Sequence, residues 1–460
     1  MCEIFTFMLI RFIVKNLFSF KELTEFNMLP GRFHRLPHHI CKTDGIELLK
    51  LNAIYGANGA GKSNLIHALS ILKDFLMDGE MPIELITETF KFDKESNTKD
   101  VYLGIEFIKD SIPYYYGLTI NQGIVIEEEL QISGLGKKED KTLFIRTDEV
   151  IDNNLKISFS KEVQEDAEAA IFPEFLKNEI LERNKPVLFY MKNRQNKVFE
   201  PFKSALEWFE KSLELILPYS RPGGLVLQLE RNKPFYEFAI DIMQSFNTGI
   251  RDIHIDTIPI EDFFGEDNKQ EAERITADLR AKSGKIKSIR NQFEEVVFVL
   301  VENKPVAKRI TFSHSEDNGN AKFNFAEESD GTRRLMEYLP ALFSAVNKCK
   351  TYFVDEIERS IHPLLIKELI KKFSHDTYTK GQLIFSTHES NLLDQEIFRP
   401  DEIWFAEKNK KGATELYPLS EFKEHHTIDI RKGYLNGRYG GIPFLGNLKD
   451  LNWEKYAEAN

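Results

Sequence analysis

"LKLNAIYGANGAGKSNLIHALSIL", residues 49–72, decides how the rest of the chain is read. An apolar run, Leu51 to Tyr55, leads into a glycine-rich loop, and Leu65, Ile66, Leu69 and Leu72 follow at helical spacing. Between them stands the pattern GxxxxGK[ST], from Gly56 to Ser63. Gly56, Gly59 and Gly61 let backbone N–H groups turn inward around phosphates, and Asn58 and Asn64 complete the cradle. The Lys62 ammonium neutralises β and γ oxygens, and the Ser63 hydroxyl ligates Mg²⁺. The helix that follows adds the positive end of its dipole. A chance glycine-rich turn would lack the strand before and the helix after. The stretch predicts a site for ATP with Mg²⁺.

Such a cradle needs a second acid for the metal and a group that orients the attacking water. "TYFVDEIE", residues 351–358, offers both after a short apolar strand: Asp355 for the metal and Glu356 as general base. "GQLIFSTHESNLLD", residues 381–394, is another apolar strand, with His388 just past its end. Ligands of open α/β sheets bind there, so His388 is read as a γ-phosphate contact. "PLLIKELIKKFSHD", residues 363–376, fits between these strands as a crossover helix. Ahead of them, "EESDGTRRLMEYL", residues 327–339, is a capped helix start. Ser329 and the Gly331 backbone would be exposed there as an anion site. Arg333 and Arg334 fall on opposite sides of that start, so at most one reaches an anion. Ser63 and Asp355 are 292 residues apart (355 − 63), far longer than one βαβ unit. The nucleotide fold is therefore split by inserted structure.

Composition narrows the class further. A net charge of −12 argues against a protein that coats nucleic acid, since phosphate binding needs clustered cations. One local exception is the segment with Arg280, Lys282, Lys285, Lys287 and Arg290, read as a solvated face or mobile loop. Cys2, Cys41 and Cys349 are far apart, with no CxxC pair, and predict neither metal site nor disulfide framework. The apolar start is interrupted by Glu3, Arg11 and Lys15, so it reads as a strand rather than a membrane span. A cytoplasmic location is the expectation.

Taken in order, the "GANGAGKSN" loop, the Ser-x-Gly helix start, "VDEIE" and "STHES" resemble the ABC-type ATPases, the superfamily of SMC, RecF and OLD proteins. More narrowly, "FKFDKES", "DGTRRLMEYLPAL", "DEIERSIHP" and the closing "YLNGRYGGIP" resemble OLD-related, AAA-type ATPases of bacterial anti-phage defence. Within that group the likeness is nearest to the PARIS ATPases (AriA) and looser to the Septu ATPases (PtuA). The resemblance implies ATP sandwiched between two copies, with Ser329 and Gly331 meeting the γ-phosphate held by the opposite copy. It also implies a homo-oligomer, a separate effector nuclease or toxin such as a Toprim protein, and a phage-encoded trigger. Three departures stand out. No Gln occurs between Ser63 and Gln122 to serve the metal-sensing role usual in ABC ATPases. Asp330 sits inside the signature. The 72 residues after His388 (460 − 388) show no Toprim-like acid array. A RecF- or SMC-like repair ATPase is the alternative, and nucleic-acid binding stays open.

The expected fold class is α/β: a P-loop NTPase of ABC-ATPase type, with a split head, an antiparallel β subdomain and an inserted helical lid. Residues 1–155 would form the first half of the head, 156–295 the helical insert, 296–430 the second half, and 431–460 a tail. "EPFKSALEWFEKSLELIL", residues 200–217, carries apolar residues at three and four and predicts one helix within the insert. Pro218 and Pro222 and the lack of sustained heptads exclude an SMC-like coiled coil there. Residues 263–292 are polar enough to be read as a mobile loop. The glycines of the tail, Gly437, Gly440 and Gly441, predict left-handed backbone or close approach, with packing as the default role.

Overall fold

The computed structural model describes residues 7–43, 45–149, 154–281, 286–290, 294–316, 319–422 and 428–442. By internal contacts the chain forms two compact units: Met1–Leu215, Cys349–Ile357 and Lys371–Asn460 make the first, and Ile216–Lys348 with Glu358–Ile370 the second.

The first unit is built on two sheets. One has six strands in the order Leu213–Ile216, Thr351–Val354, Gln382–Thr387, Leu51–Tyr55, Ile403–Lys408 and Thr414–Pro418. The middle four run parallel, and Thr414–Pro418 returns as a hairpin. Every residue of Leu51–Tyr55, Thr351–Val354 and Gln382–Thr387 is buried, which is why these strands read as largely apolar segments rather than alternating ones. The other sheet is antiparallel: Asn154–Phe159, Lys141–Glu149, Ile124–Ile132, Ile112–Asn121, Val101–Lys109, Phe7–Lys15 and Thr24–Asn27. Its two-residue turns, Asp110-Ser111 and Gln122-Gly123, all take positive φ, the form that matches the twist of paired strands.

Gln382 ties the two sheets together. The edge strand Thr24–Asn27 pairs only with Arg11–Val14, so Leu9 lies beyond its reach. The fully buried Gln382 amide bonds Leu9 in its place, accepting from its N–H at 2.7 Å and donating to its carbonyl at 3.1 Å. The same amide donates to the Leu49 carbonyl at 3.0 Å and accepts from the Thr351 hydroxyl at 3.0 Å.

The second unit carries an antiparallel sheet, Ile250–Pro259, Lys304–Glu316, Glu295–Val301 and Lys287–Arg290, with Gly319–Asn324 also on Lys304–Glu316. Its core gathers Ile260, Ala272, Ile275, Leu279, Val296, Phe298 and Ala307.

Several expectations change here. The division at Leu215/Ile216 cuts across the 156–295 segment, whose second part contributes strands as well as helices. The helix expected over 200–217 stops early: Glu200–Glu207 is α-helical, Trp208–Ser212 is a π turn, and Leu213–Ile216 joins the parallel sheet at its edge. Trp208 stacks on Phe107 at 4.3 Å, so tertiary packing and edge pairing override the local helical period. The polar stretch 263–292 includes the helix Lys269–Ala281, whose Ala272, Ile275 and Leu279 form a narrow buried stripe. Of its cations, Lys287 pairs with Asp278 at 2.7 Å and Arg290 with Glu295 at 3.3 Å, while Lys282 and Lys285 lie outside the described residues. No described helix is long and apolar enough to cross a membrane.

Candidate functional site

Leu51–Tyr55 ends at Gly56, and the loop turns into the helix Lys62–Asp78 through Gly61, whose φ of 108° only glycine adopts cheaply. Gly56 is required by close approach: a Cβ there would stand 2.5 Å from the Ala406 carbonyl oxygen. Gly59 differs, with φ 77° and no atom within 4 Å of where a Cβ would stand. The open side of the loop thus fits a phosphate chain. Lys62 is 7% exposed, and its ammonium donates to the carbonyls of Gly56 at 2.7 Å and Ala57 at 3.2 Å. That ties the two ends of the loop together and holds the cation at its centre.

A second set of bonds holds the loop from behind. Asn64 Nδ2 donates to Ser19 Oγ at 2.8 Å, Ser19 Oγ lies 2.7 Å from Thr414 Oγ1, and Thr414 Oγ1 lies 2.7 Å from the Ala60 carbonyl. With one proton per hydroxyl, the chain that satisfies all four groups runs from Asn64 to Ser19 to Thr414 to Ala60. Thr414 also donates its backbone N–H to Ser19 at 2.7 Å. Ser19 and Thr414 were invisible in the sequence, because they lie 45 and 350 residues from Asn64 (64 − 19, 414 − 64) and match no motif.

The acid strand, Thr351–Val354, is separated from the loop strand by Gln382–Thr387, and all three point the same way. Their carboxyl ends therefore gather Gly56–Ser63, Asp355-Glu356 and His388 along one edge of the sheet. Asp355 is 1% exposed and accepts the Ser386 hydroxyl. Ser386 Oγ in turn accepts the Glu356 N–H at 2.8 Å. Glu356 has φ 50°, uncommon for a residue with a side chain and a conformation that clusters at functional sites. Ser63 and Glu356 are half-buried and His388 is exposed. A hydroxyl, a buried carboxylate and an ammonium at the same ends of parallel strands in one sheet form a donor set suited to a magnesium-bound triphosphate.

Ser329 and Gly331 belong to the second unit. Ser329 caps the helix Asp330–Asn347, accepting the Thr332 N–H at 3.1 Å, and the helix runs through Pro340 to Asn347. Gly331 is a close approach, since a Cβ there would lie 2.7 Å from the Ser360 carbonyl. The two arginines part company. Arg334 is 5% exposed and donates to Ser220 and Leu217 carbonyls at 3.2 and 3.3 Å and to Glu337 at 3.2 Å. Arg333 pairs with the exposed Asp330 and donates to the Ala326 carbonyl at 3.2 Å. Arg333 is thus the one of the two that stands on the accessible side.

The glycine-rich tail packs in the first unit. Tyr434 donates to the Gly441 carbonyl at 3.0 Å, Tyr417 donates to the Tyr439 carbonyl at 2.9 Å, and the Tyr439 ring stacks on Phe405 at 5.7 Å. A Cβ on Gly441 would lie 3.6 Å from the Cα of Gly56, so the tail reaches the first residue of the loop. Pro443 lies outside the described residues.

The family model AAA_21, described as "AAA domain, putative AbiEii toxin, Type IV TA system", matches residues 51–394. The chain belongs to the AAA_21 family. That match begins at the loop strand and ends just after His388, so it spans every site residue read from the sequence, while Ser19 and Thr414 fall outside it. The α/β architecture, with a P-loop on a parallel core, an antiparallel sheet and inserted structure, agrees with the sequence reading. Solved structures with similarity to this AAA_21 chain include the SMC head domain of Thermotoga maritima, at 12% identity over 89% of this chain and 98% of that one, with a TM-score of 0.38. An SmcHead bound to the C-winged helix domain of ScpA shares 12% identity over 89% and 97%, with a TM-score of 0.39. An Smc head with an extended coiled coil, bound to the C-terminal domain of ScpA and derived from Pyrococcus furiosus, shares 10% over 94% and 98%, at 0.38. No curated protein matches the sequence.

Proposed function

We propose that this AAA_21 chain is an ATP-binding and ATP-hydrolysing switch of a bacterial anti-phage system. It assembles through nucleotides sandwiched between copies and controls a separate effector nuclease or toxin. The observation that carries the catalytic part is the convergence of Lys62, Ser63, Asp355 and Glu356 at the carboxyl ends of parallel strands. In that reading Lys62 and the loop from Gly56 through Asn58, Gly59 and Gly61 to Asn64 hold the phosphates. Ser63 and Asp355 hold Mg²⁺, whose bound charge offsets that developing on the phosphates. Glu356 orients and deprotonates water, and His388 contacts the terminal phosphate.

Ser329 and Gly331, at a capped helix start, are assigned to the nucleotide of the opposite copy, so that two copies adhere only while the γ-phosphate is present. The family description, with its toxin–antitoxin wording, supports a role in a toxin–antitoxin type of system. The separately encoded effector and the phage-encoded trigger rest on the resemblance to PARIS and Septu ATPases. The test is paired. Lys62→Ala should abolish ATP binding, and Glu356→Gln should retain ATP and accumulate an ATP-dependent oligomer. Parental hydrolysis by Lys62→Ala would overturn the site, and a monomeric, ATP-loaded Glu356→Gln protein would overturn the sandwich.

A further inference from the structure

A cavity of about 540 Å³ opens in the second unit beside the first turn of the helix Asp330–Asn347. Tyr219, Arg221, Asp330, Arg333, Arg334 and Arg359 are among the residues that line it. Tyr219 is 82% exposed, and the Arg359 guanidinium carbon lies 4.4 Å from its ring centroid. The loop carrying Tyr219 is nonetheless pinned. Arg334 holds the carbonyls on both sides of Pro218-Tyr219, those of Leu217 and Ser220, and Arg221 pairs with Glu337 at 2.7 Å. An aromatic ring held out in solvent on a fixed loop gains nothing from core burial. It does present one π face, polarised by a guanidinium, to whatever enters.

Polar features of the cavity point the same way. Arg334, which also lines the cavity, buries an Nε that has no hydrogen-bond partner among the described residues. Four arginines there face two carboxylates, Asp330 and Glu337. The Arg333–Asp330 pair has Asp330 76% exposed on its side chain, so exchanging that carboxylate for another anion costs little. An aromatic face, a modest cationic excess and this volume suit a single nucleotide. A long strand of nucleic acid would need a basic track, which a chain of net charge −12, with Lys287 and Arg290 of its one cationic segment paired, does not offer.

We propose that this cavity receives the ATP held by a second copy, with Tyr219, backed by Arg359, stacking against the nucleoside and Arg333 exchanging Asp330 for a phosphate oxygen. The inference rests on the sandwich reading and adds the residues that recognise the nucleotide from across the interface.

The experiment is ATP-dependent assembly of the Glu356→Gln protein, followed by sedimentation, with Tyr219→Ala and Tyr219→Phe added to it. Affinity of the monomer for a fluorescent ATP analogue checks that the P-loop is intact. Tyr219→Ala should raise the concentration needed for assembly about tenfold, the scale of one lost stacking contact, and Tyr219→Phe should restore it. Assembly of the Ala variant at the parental concentration would overturn the cavity's role and leave the sandwich standing. Failure of Glu356→Gln itself to assemble would overturn both. Loss of binding to a labelled single-stranded oligonucleotide in Tyr219→Ala, with assembly unchanged, would reassign the cavity to nucleic acid.

Discussion

The Thr414 hydroxyl stands 2.7 Å from the Ala60 carbonyl and so fastens the hairpin strand at one edge of the parallel sheet to the loop at its centre. Ala60 is the last residue before Gly61 and Lys62, so this bond fixes the backbone just where the loop becomes a helix. Thr414→Val keeps the shape and removes the donor, leaving the Ala60 carbonyl and the Ser19 hydroxyl without their buried partner at a cost of about 1–3 kcal/mol. A purely structural role would lower the melting temperature alone. A positioning role also weakens ATP binding, by about tenfold in a direct titration, and Thr414→Ser recovers both. Unaltered ATP affinity in the Val variant would reduce the bond to packing.

Arg333 and Arg334 are adjacent in sequence and opposite in physical role. Arg334→Met removes the donors to Ser220 and Leu217 and one of the two arginines on Glu337, so denaturant unfolding should show a loss of about 2–4 kcal/mol. Arg333→Ala breaks a partly exposed pair and should stay within about 0.5 kcal/mol of the parent. Equal losses would mean that burial does not separate the two.

The motifs were legible where the signal is local. Gly56–Ser63, Asp355-Glu356 and the Ser329 cap each sit within a strand or helix start whose pattern occupies fewer than twenty residues. Burial on both faces made the strands before the loop and the acid pair largely apolar. What was not legible depends on contacts between distant residues. Leu213–Ile216 has a helical period and becomes a strand because a sheet edge is available to it. Lys269–Ala281 is mostly polar, and its three-residue stripe gains meaning only against Val296 and Phe298. Ser19 and Thr414 act on the loop through single hydroxyls, which leave no periodic trace. Nor does any local signal say that residues 349–357 and 371–460 return to the first unit while 358–370 stays with the second.

His39 and Glu402 give a pH signature that follows from burial. His39 Nδ1 lies 2.8 Å from Glu402 Oε1 with both side chains fully buried, and His39 Nε2 lies 2.9 Å from Ser374 Oγ, which donates to the Ile397 carbonyl at 2.7 Å. Burial, reinforced by Lys50, pulls His39 down to about 3, and burial, against the pull of Arg399 and Lys50, pushes Glu402 well above the usual carboxylate range. The folded pair therefore holds one proton: the carboxyl donates to Nδ1, and the Nε2–H donates to Ser374. In the unfolded chain His titrates near about 6.5 and Glu near about 4.3. Between those values the unfolded pair also carries one proton, and stability should not depend on pH through it. Above about 6.5 the unfolded pair carries none, so stability falls as pH rises, by about 1.4 kcal/mol per unit until folded Glu402 ionises. Below about 4.3 it carries two, so stability falls as pH falls, until folded His39 protonates near 3. Denaturant unfolding from pH 3.5 to 8.5, with the His39→Gln/Glu402→Gln double variant subtracted, should give a plateau with a flank on each side. A difference that slopes one way throughout would show that the folded pair does not hold a single proton.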